Sequence, residues 1–484
     1  MMYRRTKIVA TIGPASAAPA LLEQLILAGV NVFRLNFSHG EAADHTAVAE
    51  SVRDISARLQ RHVALMGDLQ GPKIRIGRFR DGPVTLQDGA LLILDAALDE
   101  QAGTAERVGL AYKALIEDCQ PGDILLLDDG LIEVEVEQRQ GQALHCRVLT
   151  GGRLSDNKGI NRKGGGLSAA ALTDKDRADI RTAVAIGVDY LALSFPRHAD
   201  DVIQARQLYR QAGGEGGIVA KIERAEAVNS HAILDEIVLA ADGVMVARGD
   251  LAVEIGDAEL LGVQKHIIQR ARELDRFVIT ATQMMESMIN SPQPTRAEVS
   301  DVANAVLDGT DAVMLSGETA VGKYPQETVI AMDRIIRGAE KTFQIHMLRP
   351  RPVGALHKID EAIAVAAMTV ANQLDGVKAI VALTETGNTP GMMSRIRSGL
   401  PIFAFTPHER TLRRMAMYRG VETVKFDTAD TLPDAINQRA VDTLLRLQLV
   451  SPGDKVIVTK GDYLAAHGGT NVLKILSVPE HQHE

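Results

Sequence analysis

Polar side chains follow a series of short apolar runs in this 484-residue chain, at the point where each run ends. Runs rich in Val, Ile, Leu and Ala are typical of buried parallel strands. The residues at the run ends are, in chain order, Arg34, Asn36 and Ser38, then Asp68, Ser194, Lys221 with Glu223, Asp250, Thr282, and Ser316 with Glu318. A lone Asp or Ser at such a place is more often a capping or ion-pairing residue. Because so many charges recur at successive run ends, we expect one shared site.

The types of these residues indicate phosphoryl chemistry. Glu223 and Asp250 offer hard carboxylate oxygens which, with waters and a substrate phosphate, suit Mg²⁺ or Mn²⁺. A general acid and base pair is the competing interpretation, but it does not account for Arg34 and Lys221. Two cations and a divalent metal ion around one point suit a transferring phosphoryl group, where catalysis is mostly positioning and charge neutralisation. Arg34 would grip the phosphate with its planar guanidinium, and Gly249 would let the backbone approach a substrate carboxylate.

The elements that must position these residues alternate between strand and helix patterns, which is typical of βα units around a parallel sheet. The candidate strands are Ile8–Ile12, Val32–Phe37, Val63–Leu69, Tyr190–Phe195, Gly217–Glu223, Gly243–Asp250, Phe277–Thr282 and Ala312–Ser316, and the clearest helices are Pro19–Ala28, Asp44–Leu59 and Leu260–Leu274. We therefore predict an α/β fold with a (β/α)8 TIM barrel over residues 1–70 and 169–344. In such barrels the active site lies at the C-terminal ends of the strands.

The pattern of apolar and polar residues changes twice along the chain. Residues 71–168 form alternating segments broken by Gly, Pro and Asp, which predicts a small β-barrel-like domain inserted after the third barrel strand. The run Gly164–Gly166 predicts a hinge, so this domain would be a mobile lid over the barrel mouth. Residues 345–484 carry a third set of strand and helix patterns and predict a separate C-terminal α/β domain. Its candidate strands include Ala379–Leu383, Ile402–Phe405 and Lys455–Thr459.

Composition excludes several classes of partner. The chain has 62 acidic and 53 basic residues and a formal charge of −9, which disfavours a broad attraction to nucleic acid or anionic membranes. Cys119 and Cys146 are the only cysteines, which suits a reducing compartment. No window has the length and hydropathy of a membrane span, and the first residues lack the apolar region of a signal peptide. We predict a cytoplasmic protein without nucleic-acid or membrane partners.

Several strings of residues resemble pyruvate kinases in order and spacing. They are TKIVATIGPAS, NVFRLNFSHG, GPKIR, VAKIERAEA, GVMVARGDLAVEIG, ITATQMMESM and MLSGETAVGKYP. Together with the C-terminal domain, the resemblance spans nearly the whole chain. It implies an enzyme that transfers the phosphoryl group of phosphoenolpyruvate to ADP in the last step of glycolysis, with allosteric regulation through the C-terminal domain of a homotetramer.

The resemblance also implies roles for individual residues. Arg34 and Lys221 would hold the phosphoryl group, Glu223 and Asp250 would bind the divalent metal ion, and Gly249 with Asp250 would contact the substrate. Thr282 would help deliver the proton that converts enolpyruvate to pyruvate. The residues that resemble nucleotide contacts are Asn36, Phe37, Ser38, His39, Arg75 and Lys158. Glycine-rich ATP-binding signatures are absent from the chain, and the lid would close over ADP and exclude water.

One motif departs from the pattern of many relatives. Family members with a monovalent cation site place its ligands at positions matching Asn36, Ser38, Asp68 and the backbone of Leu69, with a Glu at the position of Lys73. Because Lys73 brings a fixed ammonium group, we predict that it replaces K⁺ and that activity does not require this ion. The alternative is that Lys73 is a solvent-facing lid residue.

The C-terminal domain contains a segment that resembles the family's effector loop. It consists of Thr384, Thr386, Gly387, Asn388 and Thr389, between a predicted strand and helix. Backbone N–H groups and the helix dipole hold phosphate at such places, so we predict a sugar phosphate or AMP as activator. The segment 468–471 resembles a second effector loop, and some relatives have Arg or Lys in place of Asn388. The alternative is that the hydroxyls only cap the helix.

Two other functions remain open at this point. A metal-dependent lyase that makes pyruvate enolate could use the same cations and carboxylates, but it would not need the large lid. A non-catalytic barrel that senses sugar phosphates would be expected to have lost Lys221, Asp250 and Thr282.

Overall fold

The computed structural model describes residues 3–72, 74–341, 356–429, 431–462 and 469–480. Lys73, Gly468 and the predicted boundary between residues 344 and 345 lie outside these ranges. Within them, no helix is both long and apolar enough to cross a bilayer. Cys119 and Cys146 are free, buried thiols.

Strands and helices alternate along most of the described chain. The strands are β1 (Lys7–Ile12), β2 (Val32–Asn36), β3 (Ala64–Asp68), β4 (Val84–Leu86), β5 (Leu91–Asp95), β6 (Arg107–Gly109), β7 (Ile124–Leu127), β8 (Ile132–Gln140), β9 (Ala143–Thr150), β10 (Gly152–Leu154), β11 (Ile160–Arg162), β12 (Tyr190–Leu193), β13 (Gly217–Ile222), β14 (Gly243–Ala247), β15 (Phe277–Ala281), β16 (Ala312–Leu315), β17 (Val377–Leu383), β18 (Ile402–Thr406), β19 (Val421–Lys425), β20 (Lys455–Gly461) and β21 (Thr470–Ser477). The α-helices are α1 (Pro19–Ala28), α2 (Ala42–Arg58), α3 (Leu115–Asp118), α4 (Asp174–Ile186), α5 (Ala199–Gln211), α6 (His231–Ala240), α7 (Arg248–Ile255), α8 (Asp257–Glu273), α9 (Arg296–Asp308), α10 (Gly317–Ala320), α11 (Pro325–Lys341), α12 (Ile359–Gln373), α13 (Asn388–Arg395), α14 (Glu409–Met415) and α15 (Ile436–Arg446).

A closed barrel of parallel strands confirms the predicted (β/α)8 architecture. Its strands follow the order β1-β16-β15-β14-β13-β12-β3-β2 and close on themselves. Apolar side chains fill the space between strands and outer helices, and a second apolar cluster fills the barrel interior. Ala416 and Met417, which follow α14, belong to the interior cluster, so the C-terminal domain helps to fill the barrel.

Several predicted strands extended past the observed ends, and the prediction for β14 did so by the most. The apolar pattern predicted a strand over Gly243–Asp250, but β14 ends at Ala247 and Arg248 begins helix α7. Asp250 therefore lies in the first turn of a helix. The chain turns into this helix at the mouth because the Arg248 side chain donates hydrogen bonds to the carbonyl oxygen of Thr282, at 2.7 Å from Nη2.

The segment inserted after β3 forms the predicted β domain. It contains a six-stranded sheet in the order β11-β7-β8-β9-β5-β6 and a two-stranded sheet of β10 and β4. Its pairs are antiparallel except β5 with β6, which is parallel. Gly164, Gly165 and Gly166, which were predicted to form a hinge, have φ of 81°, 82° and 98°, a region that other residues rarely adopt.

The barrel side of the insertion is fixed by one buried carboxylate. Asp176 accepts hydrogen bonds from the Thr173 hydroxyl at 2.6 Å and from Gly71 N at 3.0 Å. Thr173 and Asp176 also form the capping box that begins α4, in which Asp176 N donates to Thr173 Oγ1 and Thr173 N donates to the Asp176 carboxylate. Asp176 therefore holds the residue where the chain leaves the barrel close to the residue where it returns.

The C-terminal segment forms the predicted α/β domain around a five-stranded sheet in the order β19-β18-β17-β20-β21. All its neighbouring pairs are parallel except β20 with β21. A buried ion pair between Arg395 and Asp311 joins this domain to the barrel. Asp311 immediately precedes β16, so this contact lies at the barrel end opposite the strand C-termini.

Candidate active site

The alternation of side chains along the barrel strands brings the predicted site residues together. Residues two apart in a strand face the same side. The apolar interior cluster includes Val32, Met66, Ala192 and Val219. Two residues further along each strand come Arg34, Asp68, Ser194 and Lys221. These polar groups form the layer above the apolar interior, at the C-terminal mouth.

Asp68 organises this layer. Its side chain is fully buried, and Oδ2 accepts a hydrogen bond from Arg34 Nε at 2.6 Å. Its Oδ1 lies 3.5 Å from Lys221 Nζ. Burial alone would raise the pKa of Asp68, but the positive charges of Lys221 and Arg34 outweigh it and lower this pKa. Asp68 is therefore an ionised anchor that orients both cations.

Besides Asp68, Lys221 contacts the polar side chains of Ser194 and Glu223. Nζ donates to Ser194 Oγ at 2.7 Å and lies 3.3 Å from Glu223 Oε2. Burial alone would lower the pKa of Lys221, but Asp68 and Glu223 raise it above its ordinary value. The group is thus a fixed ammonium ion rather than a general base.

Glu223 and Asp250 fit a divalent metal ion. Glu223 is fully buried, and its Oε1 accepts a hydrogen bond from Phe195 N at 2.8 Å. Among the described residues, its Oε2 has no hydrogen-bond partner. Burial raises the pKa of Glu223 to about 8, with Asp250 and Asp68 adding to the rise and Lys221 opposing it. A buried carboxylate whose Oε2 has only an ion-pair contact with Lys221 among the described residues, beside a second carboxylate, has the donors that a hard cation needs.

The described residues hold no cluster of three or more His, Cys, Asp or Glu side chains that could bind a metal ion by themselves. Asp250 lines the cavity at the mouth, and burial raises its pKa while Lys221 opposes the rise. An ion here would keep waters or substrate oxygens in its remaining positions. Mg²⁺ characteristically binds proteins in this way.

Thr282 and Gly249 are held against each other. Gly249 N donates to Thr282 Oγ1 at 2.9 Å, and the Thr282 hydroxyl donates to the carbonyl oxygen of Ala281 at 2.7 Å. Thr282 has a φ of 66°, an unfavourable value for a β-branched residue. Arg248, which also pairs with Asp301 at 2.7 Å, holds the Thr282 carbonyl oxygen and so maintains this conformation.

A cavity of about 410 Å³ lies between the barrel mouth and the lid. From the barrel it is lined by Arg34, Asn36, Ser38, Lys221 and Asp250, and from the lid by Arg75, Asp128, Asp129 and Lys158, among others. Lys158 pairs with Asp128 at 2.6 Å. Arg34 and Lys221 of the barrel and Arg75 and Lys158 of the lid thus face one space large enough for a small ligand.

The other predicted site positions have different surroundings. Phe37 is buried, and its carbonyl oxygen accepts a hydrogen bond from Lys175 at 2.7 Å, while His39 is exposed outside the cavity lining. Leu69 O accepts a hydrogen bond from Ser194 Oγ at 2.7 Å.

Glu318 was expected to point toward the mouth, but it is buried and accepts hydrogen bonds from Ser316 N and Met285 N. Its carboxylate is therefore occupied by the backbone, as a structural cap.

The predicted effector segment forms a turn before α13. Thr384 Oγ1 accepts a hydrogen bond from Gly387 N at 2.9 Å, and Gly387 has a φ of 84°. The residue that precedes the helix is this glycine, and no side chain caps the helix start. Asn388 donates to Asp360 at 3.0 Å. Thr389 Oγ1 lies 2.8 Å from Thr470 Oγ1, so the two predicted effector segments meet in space.

Sequence reasoning missed Arg248 and Asp128. Arg248 is a buried cation directly before Gly249, and a charge at the end of an apolar run was the available signal. Asp128 and Asp129 have positive φ values of 52° and 55° in the turn before Gly130, which the adjacent Asp-Gly pair could have indicated.

The sequence and the fold match known proteins over nearly the whole chain. Family models described as pyruvate kinase, barrel domain, and pyruvate kinase, alpha/beta domain, match residues 3–329 and 361–476. Pyruvate kinase II of Salmonella typhimurium is 57% identical over 475 residues, which cover 98% of this chain and 99% of that protein. A pyruvate kinase of Haemophilus influenzae is 54% identical over 475 residues, with 98% and 99% coverage. A crystal structure of a pyruvate kinase from Cryptosporidium parvum has a TM-score of 0.90 at 35% identity and covers 98% of this chain and 96% of that one. The chain belongs to the pyruvate kinase family.

Proposed function

We propose that this enzyme transfers the phosphoryl group of phosphoenolpyruvate to ADP through the polar layer at the barrel mouth. The observation that carries this proposal is the anchoring of Arg34 and Lys221 by one buried carboxylate, Asp68, beside the two carboxylates Glu223 and Asp250. Charges that are already oriented stabilise a charged transition state without reorganisation. The family membership supports the same substrates.

Each residue then has a defined task. Arg34 grips the phosphoryl oxygens, and Lys221 stabilises the charge that develops on them and on the enolate oxygen. Glu223 and Asp250 hold Mg²⁺ or Mn²⁺, which would act as a Lewis acid toward the substrate oxygens. The Gly249 and Asp250 backbone approaches the substrate carboxylate. The Thr282 hydroxyl, held 2.9 Å from Gly249 N, serves in proton delivery to the enolate carbon.

The nucleotide is bound between barrel and lid. Asn36, Ser38, Arg75 and Lys158 line the cavity and supply the contacts to ADP. Phe37 and His39 contribute by holding the segment that carries Asn36 and Ser38, since Phe37 N donates to Asp68 O and His39 N donates to Asn36 O. The lid, with its hinge at Gly164–Gly166, closes over the nucleotide and excludes water. We place the domain boundaries at 70/71, 168/169 and 344/345.

The function is tested by measuring pyruvate formation from phosphoenolpyruvate and ADP with Mg²⁺, coupled to lactate dehydrogenase. We expect the rate without K⁺ to lie within about twofold of the rate with K⁺ at equal ionic strength, because we propose that the Lys73 ammonium supplies the missing charge. A Lys73→Glu variant is expected to lose about tenfold without K⁺ and to recover when K⁺ is added.

A large K⁺ activation of the wild-type enzyme would keep the catalytic assignment and reject the substitution by Lys73. An unchanged Lys73→Glu variant would favour a solvent-facing lid residue at this position. No activity in either buffer would favour the lyase or sensor functions.

We also propose regulation through the C-terminal turn. A sugar phosphate or AMP is expected to lower the half-saturating concentration of phosphoenolpyruvate several-fold, within the usual range of allosteric coupling. The N–H groups at the start of α13 would hold its phosphate. No described residue forms a hydrogen bond with the exposed Thr386 hydroxyl, so Thr386→Ala is expected to weaken binding of the activator without changing the saturation curve measured in its absence. If several such compounds leave the saturation curve unmoved, the turn has only a structural role.

Assembly and location are further parts of this proposal. A homotetramer built through the barrel and C-terminal domains would carry the effector signal to the lid. Exposed apolar side chains on α8, α9 and α11, namely Leu261, Leu307 and Ile330, support subunit contacts. The buried free thiols Cys119 and Cys146 support a cytoplasmic location.

A further inference from the structure

The lid returns to the barrel through the segment Asn161–Leu167, which is attached to two elements of the barrel. Asn161 Nδ2 donates to Glu254 Oε1 at 3.3 Å, and Gly164 N donates to the carbonyl oxygen of Glu254 at 3.0 Å. Gly166 N donates to Glu226 Oε1 at 2.6 Å. Glu254 lies in α7 and Glu226 in the loop after β13. The hinge is thus fastened by two carboxylates of the barrel.

Arg224 connects these carboxylates. Its Nε lies 3.2 Å from Glu254 Oε1, and its Nη2 lies 3.2 Å from Glu226 Oε1. The same Nη2 donates to Leu167 O at 3.3 Å, while Ala225 N donates to Glu254 Oε2 at 2.7 Å. Arg224 and Glu254 are each 2% exposed, and buried charges of this kind persist only when they are paired. Arg224, Glu226 and Glu254 are called the hinge latch below.

The hinge latch is continuous with the phosphoryl-transfer site. Arg224 directly follows Glu223, and Glu254 lies one helical turn after Asp250 on α7. Gly130, in the turn between β7 and β8 of the lid, also packs beside Val253 of the same helix. One short helix therefore carries the substrate and metal residues at its start and the lid attachment at its end.

We propose that the hinge latch positions the lid: Glu254, with Arg224 and Glu226, holds the hinge segment on α7 and so sets where the nucleotide contacts of the lid meet the barrel site. This inference rests on the proposed function. Lys158 lies only three residues before Asn161, so loosening the hinge displaces a proposed nucleotide contact. The phosphoenolpyruvate groups all lie on the barrel and are displaced less.

The charge of Glu254 makes the attachment sensitive to pH. Burial raises the pKa of Glu254 to about 7, with Glu226 adding to the rise and with Arg224, Ala225 N–H and the Asn161 amide opposing it. The carboxylate therefore pairs with Arg224 above pH 7 and loses this charge as the pH falls below it. Gln at this position is neutral at every pH and resembles the protonated acid.

Two variants test the hinge latch. Asn161→Ala removes the lid side of the attachment and leaves Arg224 paired with Glu226 and Glu254, so it retains the fold. It is expected to raise the KM for ADP about fivefold, the equivalent of one lost hydrogen bond. Asn161 also lines the cavity, so a raised KM for ADP with wild-type exchange at the hinge would assign it a direct nucleotide contact and overturn the inference.

Glu254→Gln is expected to raise the KM for ADP about tenfold at pH 8. The ratio of the variant's KM to the wild-type KM should fall toward one at pH 6. The KM for phosphoenolpyruvate should stay within about twofold in both. Hydrogen–deuterium exchange of residues 160–168 should be faster in both variants.

The control is Arg147→Gln, which breaks an exposed ion pair with Glu137 elsewhere in the lid and should change neither KM nor the exchange at the hinge. Folded variants with wild-type KM for ADP and wild-type exchange would overturn the inference. An equal rise of both KM values together with a lower Tm would also overturn it, since that is the result of general destabilisation. The exchange measurement needs no turnover, so it decides the hinge latch even if the wild-type enzyme fails to make pyruvate.

Discussion

Replacing Lys221 by Met is expected to lower kcat by about 10³-fold while changing the KM for phosphoenolpyruvate much less. The ammonium group lies between Ser194 Oγ and the carboxylates of Asp68 and Glu223, and we propose that it neutralises charge mainly in the transition state. A group that acts mainly in the transition state affects kcat more than substrate binding. Steady-state kinetics with saturating ADP and Mg²⁺ measure both constants.

The matched control is Lys425→Met, which removes an exposed lysine that pairs with Glu409 in the C-terminal domain. It should keep kcat within about twofold. A thermal melt is needed beside the kinetics, because loss of Lys221 removes one of the two cations that pair with the buried, ionised Asp68. A folded Lys221→Met enzyme with wild-type turnover would remove Lys221 from the chemistry.

Replacing Glu223 by Gln is expected to lower kcat about 10²-fold and to raise the Mg²⁺ concentration needed for activity. The amide oxygen can still accept the hydrogen bond from Phe195 N, but the amide nitrogen cannot replace Oε2 as a metal ligand. The substitution thus removes the donor while keeping the shape. Calorimetric titration of Mn²⁺ in the presence of phosphoenolpyruvate measures the loss directly.

The pH dependence gives a second check on Glu223. Its pKa is raised to about 8, so without metal the carboxyl is largely protonated at pH 7. A metal ion must displace this proton, and the wild-type affinity is therefore expected to rise between pH 6.5 and 8.5. The Gln variant should lose most of this dependence, and Glu137→Gln, on the lid surface, should keep it. Undiminished Mn²⁺ affinity in the Glu223→Gln variant would place the metal elsewhere.

The barrel and the inner site layer could be predicted because they follow from local patterns. Buried parallel strands require continuous apolar runs, and the period of two fixes which polar residues face the interior above them. Arg34, Asp68, Ser194 and Lys221 therefore needed no information beyond their place at the run ends. The insertion was also predictable, because alternating segments differ from parallel barrel strands and three successive glycines indicate a bend.

The remainder of the site depends on contacts between distant parts of the chain. Asp250 was placed at the end of a strand, yet it lies in α7, because Arg248 reaches Thr282 and Asp301 across the mouth. The secondary-structure propensity of a segment is a local property and does not indicate such a contact. The attachment of Asn161 to Glu254 is likewise invisible in either local sequence, since both are ordinary polar residues until the fold buries Glu254. Glu318 fitted the run-end pattern, but its carboxylate is used by backbone N–H groups.

Formation of ATP distinguishes an enzyme that transfers the phosphoryl group from phosphoenolpyruvate to ADP from one that only releases pyruvate. The most direct test is to quantify pyruvate and ATP together in one reaction with phosphoenolpyruvate, ADP and Mg²⁺. The enzyme is expected to form equal amounts of both products and no pyruvate when ADP is omitted. Pyruvate formed without ATP, or formed equally well without ADP, would contradict it.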